Sequence, residues 1–322
     1  MPHQQVAVLR GGPSDEYTVS LETGQAVTQA LRELGRTPRD IVITRQGEWL
    51  LDGFSRPPEK ALATADVVFI ALHGQYGEDG QVQRVLERLQ IPFTGTRSLS
   101  SATAFNKEFT KNLLREHGLK MPKHRRLTRQ ELHFLRHKPV ELFAELGPEL
   151  FIKPVQSGSS IGVGHVSDPG DLLTVVEAAL DAHEALLVEE YITGREATVG
   201  ILEQYRDEPL YSLPAIEIIP PAQTRWFTNA DKYNGKTEEL VPGRFGYGEK
   251  ARLAEAARLA HELIGCRHYS RSDFIIKDGE AYFLEINTLP GLTSESLFPK
   301  AAAAVGLSFP DLVQHLIDQA AV

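Results

Sequence analysis

The sequence predicts an α/β protein, α+β in parts, made of two or three compact units around a cleft. Three observations lead there: a length of 322 residues, short apolar runs alternating with helical periodicity in the first third, and a strand–turn–strand pattern in the last. A chain this long exceeds one ordinary core, so separate units share an interface. Hydrophobic residues at 42% and charged ones at 24% describe a chain that folds throughout, with no polar tract large enough for disorder.

Val6 to Leu9 reads as a short buried strand, Gly11 to Ser14 as a turn, and Val19 to Leu34 as a helix with Leu21, Val27, Ala30, Leu31 and Leu34 near helical spacing. A second apolar run, Val67 to Leu72, ends at His73-Gly74 and precedes a helix over Asp79 to Leu89. This alternation favours a parallel sheet whose strand ends face a crevice. The pattern from Ser98 to His117 is helical and stops at Gly118, marking the passage to a second unit. There, strands at Leu150 to Ile152 and Leu186 to Val188 flank a glycine-serine loop and a helix over Asp171 to Ala182. Strands follow at Arg195 to Leu202 and Leu210 to Ile219, then a long helix from Lys250 to Ile264. Asp273 to Ile276 and Ala281 to Ile286 form a hairpin about Lys277–Glu280, and a last helix covers Phe309 to Ala320.

A formal charge of −9 and the lack of a clustered basic run argue against a nucleic-acid partner. The single cysteine, Cys266, rules out an internal disulfide and a cysteine zinc site, and fits a reducing compartment. The N-terminus lacks the form of a signal peptide, and no apolar stretch reaches membrane-spanning length. These features predict a cytoplasmic protein with no membrane partner.

The segment SRSDFIIKDGEAYFLEINTLPGLTSESL, residues 270–297, is the most informative. On a hairpin, Asp273 near the start of one strand can share a face with Glu285 and Asn287 near the end of the other. Two carboxylates and an amide oxygen suit Mg²⁺ carried with a triphosphate, with Mn²⁺ as the alternative that hard oxygen donors admit. Carboxylates on a hairpin are ordinarily just solvated; the flanking apolar residues and the Pro290-Gly291 turn favour a site here. Lys153 ends an apolar strand before GSSIGVG, a loop whose N–H groups can close over phosphates, though a plain hairpin turn explains such a loop equally well. It is not a Walker loop, since no GK[ST] follows. The strand Leu187 to Tyr191, with Glu189, Glu190 and the downstream Glu196, offers main-chain groups to an adenine edge and carboxylates to ribose hydroxyls, and reads equally as a half-buried strand with surface acids. In the first turn, GGPSDEYTVSL, a helix N-terminus attracts anions and Glu16 can receive an ammonium group. The competing reading is a helix simply capped by Ser14 or Asp15.

In this order, GGPSDEYTVSLETG, ALHGQYGEDGQVQ, FTGTRSLSSATAFNKEFTK, FIKPVQSGSSIGV, VEEYITGREATV, ADKY, SRSDF and FLEINTLPGLTSESLFPK resemble the D-alanine–D-alanine ligases of the ATP-grasp superfamily, nearly end to end. The resemblance implies a three-domain ATP-grasp fold: an N-terminal parallel-sheet substrate domain over 1–105, a central domain over 106–194, and a C-terminal domain with metal and acceptor sites over 195–322. It implies ATP held by Lys107, Lys153, Ser160, Glu189, Glu190, Ile192 and Glu196, and metal held by Asp273, Glu285 and Asn287. Glu16 would receive the ammonium of the first D-alanine and His73 would lie near its carboxylate. Arg271 and the N–H of Gly291 would stabilise the oxyanion, with Ser296, Leu297 and Lys232 at substrate. Ser159 and Tyr233 would complete a hydrogen-bonded set with Glu16 that latches a closing loop. The implied activity is ATP-dependent joining of two D-alanines through a D-alanyl phosphate for peptidoglycan precursors, by an enzyme that forms homodimers.

Departures from the family pattern cluster away from the ATP chemistry. Trp226 to Asp231 precede Lys232-Tyr233 where a Tyr-Asp-Tyr-Glu-Ala type of segment is usual, Tyr17-Thr18 replace a frequent His-Glu or Arg-Glu, and Phe105-Asn106 replace Met-Asp. They leave two alternatives open: a related ligase with another amino acid or hydroxy acid as acceptor, and an ATP-binding regulator on the same fold. Retention of Tyr233 favours an amine as the second nucleophile.

Overall fold

A computed structural model describes residues 4–158, 164–221 and 237–321, and the statements below concern those residues. Their strands form three sheets. The first contains β1 (Val6–Gly11), β2 (Arg39–Ile43), β3 (Trp49–Leu51), β4 (Phe54–Ser55) and β5 (Val67–Ile70), in the order β4-β3-β2-β1-β5. β1 pairs in parallel with β2 and β5, as the alternating apolar runs predict, while β3 and β4 extend the edge antiparallel. Strands β1 and β5 are apolar throughout their pairing because helices cover the sheet. Around it lie α1 (Tyr17–Glu33), the short α2 (Pro58–Ala61) and α3 (Gln81–Arg88).

The continuous helix expected from 98 to 117 is two helices, α4 (Ser98–Phe105) and α5 (Lys107–Glu116). Asn106 breaks it by adopting an extended conformation and accepting the N–H groups of Glu108 and Phe109 on Oδ1, both at 3.1 Å. An N-cap satisfies donors that a through-helix would have used, so polar Asn beats periodicity here. The consequence is local: Lys107, the first residue of α5, has an N–H outside the helix ladder, and it donates to the carbonyl of Val155 at 3.0 Å.

The second sheet, β6 (His124–Thr128), β7 (Leu150–Pro154), β8 (Gly164–Val166) and β9 (Ala185–Glu190), is ordered β6-β9-β7-β8. It is backed by α6 (Leu132–His137), α7 (Pro139–Leu146) and α8 (Pro169–Ala182). The third holds β10 (Arg195–Tyr205), β11 (Glu208–Ser212), β12 (Ile216–Ile219), β13 (Glu238–Leu240), β14 (Tyr269–Lys277) and β15 (Glu280–Asn287). The single strand expected over 210–219 is split into β11 and β12, which both pair with β10. α9 (Tyr247–Ile264) covers this sheet; α10 (Leu297–Ala304) and α11 (Phe309–Ala320) run back to join the core of the first. No helix among the described residues is long and apolar enough to cross a membrane.

His268 ties the first sheet's loops to the third sheet. Its Nδ1 accepts from the N–H of Gly95 at 2.9 Å, and its own N–H donates to Glu203 at 2.6 Å. Burial pushes the imidazole down to about 4, helped by Arg267 and opposed by Glu203, with His261 and His315 also nearby. The unfolded imidazole, near 6.5, binds a proton more readily than the folded one, so stability falls as pH drops from 6.5 towards 4, by about 2 kcal/mol at pH 5. Urea midpoints at pH 7 and pH 5 should therefore differ in the wild type, and by less in His268→Gln, which keeps an acceptor but cannot titrate. Equal pH slopes in the two proteins would remove His268 as the cause.

Candidate active site

The three sheets converge on one cleft of about 540 Å³. Its floor is the β14–β15 hairpin. Antiparallel register sets Asp273 opposite Glu285 and Arg271 opposite Asn287, and residues two apart on a strand share a face, so all four side chains point into the cleft. A bulge after Asp273 adds Leu284 to the facing strand and ends this regular stretch. The Arg271 guanidinium donates to both oxygens of Asp273 at 3.0 Å. Thr198 Oγ1 donates to Asp273 Oδ1 at 2.5 Å, and Asn287 Nδ2 to Oδ2 at 3.3 Å. With Nδ2 spent on Asp273, the Asn287 amide oxygen is left to accept elsewhere. Burial alone would lower the Arg271 pKa, but Asp273 outweighs it and holds the guanidinium charged.

The roof comes from the second sheet. Lys153 Nζ lies 2.8 Å from Glu189 Oε2 and Lys111 Nζ 2.6 Å from Glu189 Oε1, all three side chains being almost wholly buried. Burial pushes Glu189 up, yet the two ammonium groups more than offset this and its pKa is lowered; burial pushes Lys111 down to about 8. Both oxygens of the Glu189 carboxylate therefore face lysines. Lys107 Nζ donates to the carbonyl of Ser157 at 2.6 Å and lies 3.5 Å from Glu285 Oε2, joining the glycine-serine loop to the acidic floor. Burial lowers its pKa, against Glu285. Glu190 accepts from the N–H of Lys123, and Glu190, Ile192 and Glu196 all line the cleft. Phe151 and Tyr191, rings 6.2 Å apart, add an aromatic wall.

The first sheet supplies the remaining side. Ser14 Oγ donates to the carbonyl of His73 at 2.7 Å and accepts from the main-chain N–H of Glu16, locking the first turn to the β5 turn and setting Glu16 at the cleft. The capping alternative is not met: the residue before α1 is Glu16, no side chain caps that helix, and Ser14 bonds only the N–H of Glu16, leaving the Glu16 side chain at the cleft. A Cβ on Gly158 would stand 2.3 Å from Glu16 Oε2, so a larger residue there would push the end of this side chain aside. His73 is buried with both ring nitrogens engaged: Nδ1 at 3.0 Å from the carbonyl of Leu289, Nε2 at 2.8 Å from Thr23 Oγ1. A carbonyl can only accept, so Nδ1 carries the proton and Nε2 accepts from Thr23. Burial lowers the His73 pKa, keeping the ring neutral. Gly291, Ser296 and Leu297 line the far end, where Ser296 Oγ accepts from Thr293 at 3.0 Å.

Every predicted site residue within the described residues lines this cleft; Ser159, Ser160, Lys232 and Tyr233 lie outside them. Sequence reasoning missed Lys111 and Glu78. Lys111 follows Lys107 by one helical turn, a signal that i, i+4 spacing carries. Glu78, in GQYGEDG, is buried, and its carboxyl is pushed up to about 8 by burial and then by Glu16.

With this geometry in view, residues 113–318 match the family described as D-ala D-ala ligase C-terminus, and residues 52–96 that described as D-ala D-ala ligase N-terminus. The chain belongs to the D-alanine–D-alanine ligase family. It is 40% identical to the D-alanine–D-alanine ligase of Desulforudis audaxviator, over 98% of this chain and 97% of that protein. With the D-alanine–D-alanine ligase of Leptospira interrogans serovar Lai it shares 33%, over 98% and 97%. Among solved structures, that of Bacillus anthracis D-alanine–D-alanine ligase complexed with ATP aligns with TM-score 0.82 and 31% identity, covering 99% of this chain and 97% of that one. The VanG D-Ala:D-Ser ligase from Enterococcus faecalis aligns with TM-score 0.84 and 30% identity, covering 98% and 99%. The ligase is thus an ADP-forming enzyme with the ATP-grasp fold, using ATP and a divalent metal.

The Lys111–Glu189–Lys153 cluster yields a stability test. Glu189→Gln leaves two buried ammonium groups without an anion and should destabilise the fold by about 3–5 kcal/mol. Adding Lys111→Met should recover part of that loss. Chemical unfolding checks both; a Glu189→Gln protein as stable as wild type would mean the lysines are solvated.

Proposed function

We propose that this cleft condenses two D-alanine molecules through a D-alanyl phosphate, the step that supplies D-alanyl-D-alanine to peptidoglycan precursors. The observation that carries the residue assignments is the shared face of Asp273, Glu285, Asn287 and Arg271, opposed by Lys107 and Lys153 across one cleft. An acidic oxygen set facing lysines is what a triphosphate with its cation requires.

The donor set fits a divalent ion: two carboxylates and an amide oxygen, with no nitrogen or sulfur ligand, suit Mg²⁺, and Mn²⁺ is accepted by the same atoms. Asp273, Glu285 and Asn287 would hold it, and bound there it supplies charge neutralisation for the phosphates. Lys107 and Lys153 bind phosphate oxygens, and Ser160 with the glycine-serine loop covers them. Adenine rests against Phe151 and Ile192, with main-chain groups of Glu190 and Ile192 along its edge and Glu196 on the ribose; Glu189 acts by holding Lys153.

Glu16 binds the ammonium of the first D-alanine, beside the neutral His73. The carboxylate oxygen of that D-alanine attacks the γ-phosphorus, the bond to ADP breaks, and D-alanyl phosphate forms. The deprotonated amine of the second D-alanine, seated at Ser296 and Leu297 with Lys232 beside the substrates, then attacks the carbonyl carbon. Arg271 and the N–H of Gly291 receive the oxyanion, and phosphate leaves as the tetrahedral intermediate collapses. Ser159 and Tyr233 join Glu16 in a hydrogen-bonded set that keeps water from the acyl phosphate. We propose domain limits of 1–105, 106–194 and 195–322, supported by one sheet in each and by the Asn106 break. A homodimer is proposed on the family resemblance alone. A cytoplasmic setting fits an enzyme that consumes ATP.

The decisive assay couples ADP formation to product analysis with D-alanine, L-alanine, D-serine and D-lactate side by side; we expect D-alanyl-D-alanine from the first. Turnover with L-alanine and none with D-alanine would overturn the reading. Asp273→Asn and Glu285→Gln should each lower turnover at limiting Mg²⁺ by about 100-fold or more, since each removes an anionic ligand. Rates that match wild type across a Mg²⁺ titration would dismiss the ligand assignment.

A further inference from the structure

We propose that Glu78 is a positioning residue of this ligase: with His73 it grips both main-chain polar groups of Leu289 and thereby sets the Pro290–Gly291 turn that receives the oxyanion. The inference rests on the ligase reading and adds a residue to it.

The grip is two-handed. The N–H of Leu289 donates to Glu78 Oε1 at 3.2 Å, and the carbonyl of Leu289 accepts from His73 Nδ1 at 3.0 Å. Each hand is itself braced from the first sheet's side. Glu78 Oε2 accepts from the N–H of Gly74 at 2.8 Å, and His73 Nε2 is held by Thr23. Thr23, His73, Glu78 and Leu289 are all buried.

Position in the chain makes Leu289 the residue to hold. β15 ends at Asn287, so the sheet's ladder no longer fixes the main chain beyond it. Pro290 has no N–H to anchor. Leu289 is therefore the last residue before Gly291 whose donor and acceptor can both be fixed, and both are. A Cβ at Gly291 would stand 2.7 Å from Ser296 Oγ, so small shifts of this turn also disturb the acceptor end of the cleft. A buried carboxyl is costlier than an apolar side chain. A wholly apolar contact would tie the loops together more cheaply but could not fix the direction of a peptide plane. Direction matters, because an oxyanion donor works only when aimed at the place where charge develops.

The chemistry separates this role from a general structural one. A misaimed Gly291 N–H slows amine attack on the acyl phosphate without hindering its formation. The waiting acyl phosphate then reacts with water, giving back D-alanine and phosphate, so ATP is spent without dipeptide. Full-length wild type, Glu78→Gln and Glu78→Ala should be assayed for ADP and dipeptide together, at varied ATP and D-alanine. Gln keeps one acceptor of the two; Ala keeps neither. We expect dipeptide kcat to fall by about 10-fold in Glu78→Gln and about 100-fold in Glu78→Ala. The KM for ATP should stay within about twofold, and ADP per dipeptide should rise clearly above the wild-type ratio. Variants that keep the wild-type kcat, or that lose kcat while the ratio stays at the wild-type value, overturn the proposal. If Glu78→Ala does not fold, the same two numbers from Glu78→Gln decide it. A wild-type enzyme that makes no ADP with D-alanine defeats the ligase reading instead, before any variant is compared.

Discussion

The antiparallel register of β14 and β15 is the constraint on which the site depends. Because the ladder pairs Asp273 with Glu285 and Arg271 with Asn287, two anions, an amide and a guanidinium are forced onto one face of one sheet. A slip of one residue would turn them into the packed side, where Phe274, Phe283 and Ile286 belong. The apolar face beneath α9 therefore enforces the register, and hydrophobic packing far from the chemistry fixes where the charges stand.

Charge in this cleft is arranged in opposed layers. The floor is acidic with one bound guanidinium; the roof is basic with one committed carboxylate. Glu189 lets two lysines sit a few ångströms apart in a buried place, and its own charge is the condition for theirs. The cost of burying three charges is offset by short ion pairs, and what results is a fixed positive field over the place where phosphates would lie. Lys107 crosses between the layers, touching the Ser157 carbonyl and approaching Glu285. The Asn106 cap makes this reach available by ending one helix and starting another at that residue.

The first sheet contributes rigidity more than charge. Ser14, Thr23, His73 and Glu78 are linked to one another's turns or to Leu289 by hydrogen bonds shielded from water. Such a network has few alternative arrangements, so it transmits the position of the first sheet to the turn that follows β15. Through it, elements distant in sequence act on one peptide plane.

The sequence by itself determined the α/β class, the hairpin that carries Asp273, Glu285 and Asn287, the strands beside the glycine-serine loop and the family, because these are local: period-two and helical spacing, turn chemistry, and motifs in fixed order. Tertiary structure alone decided three matters. Both oxygens of Glu189 meet lysines, since strand β9 is flanked by Lys153 on the neighbouring strand and by Lys111 from α5. The helix over 98–117 breaks, since the energy of an N-cap and a bond to Val155 exceeds what continued periodicity offers. Glu78 is a buried partner of Leu289, 211 residues away. Burial and partner are properties of the folded environment, and no local pattern in a single chain encodes them.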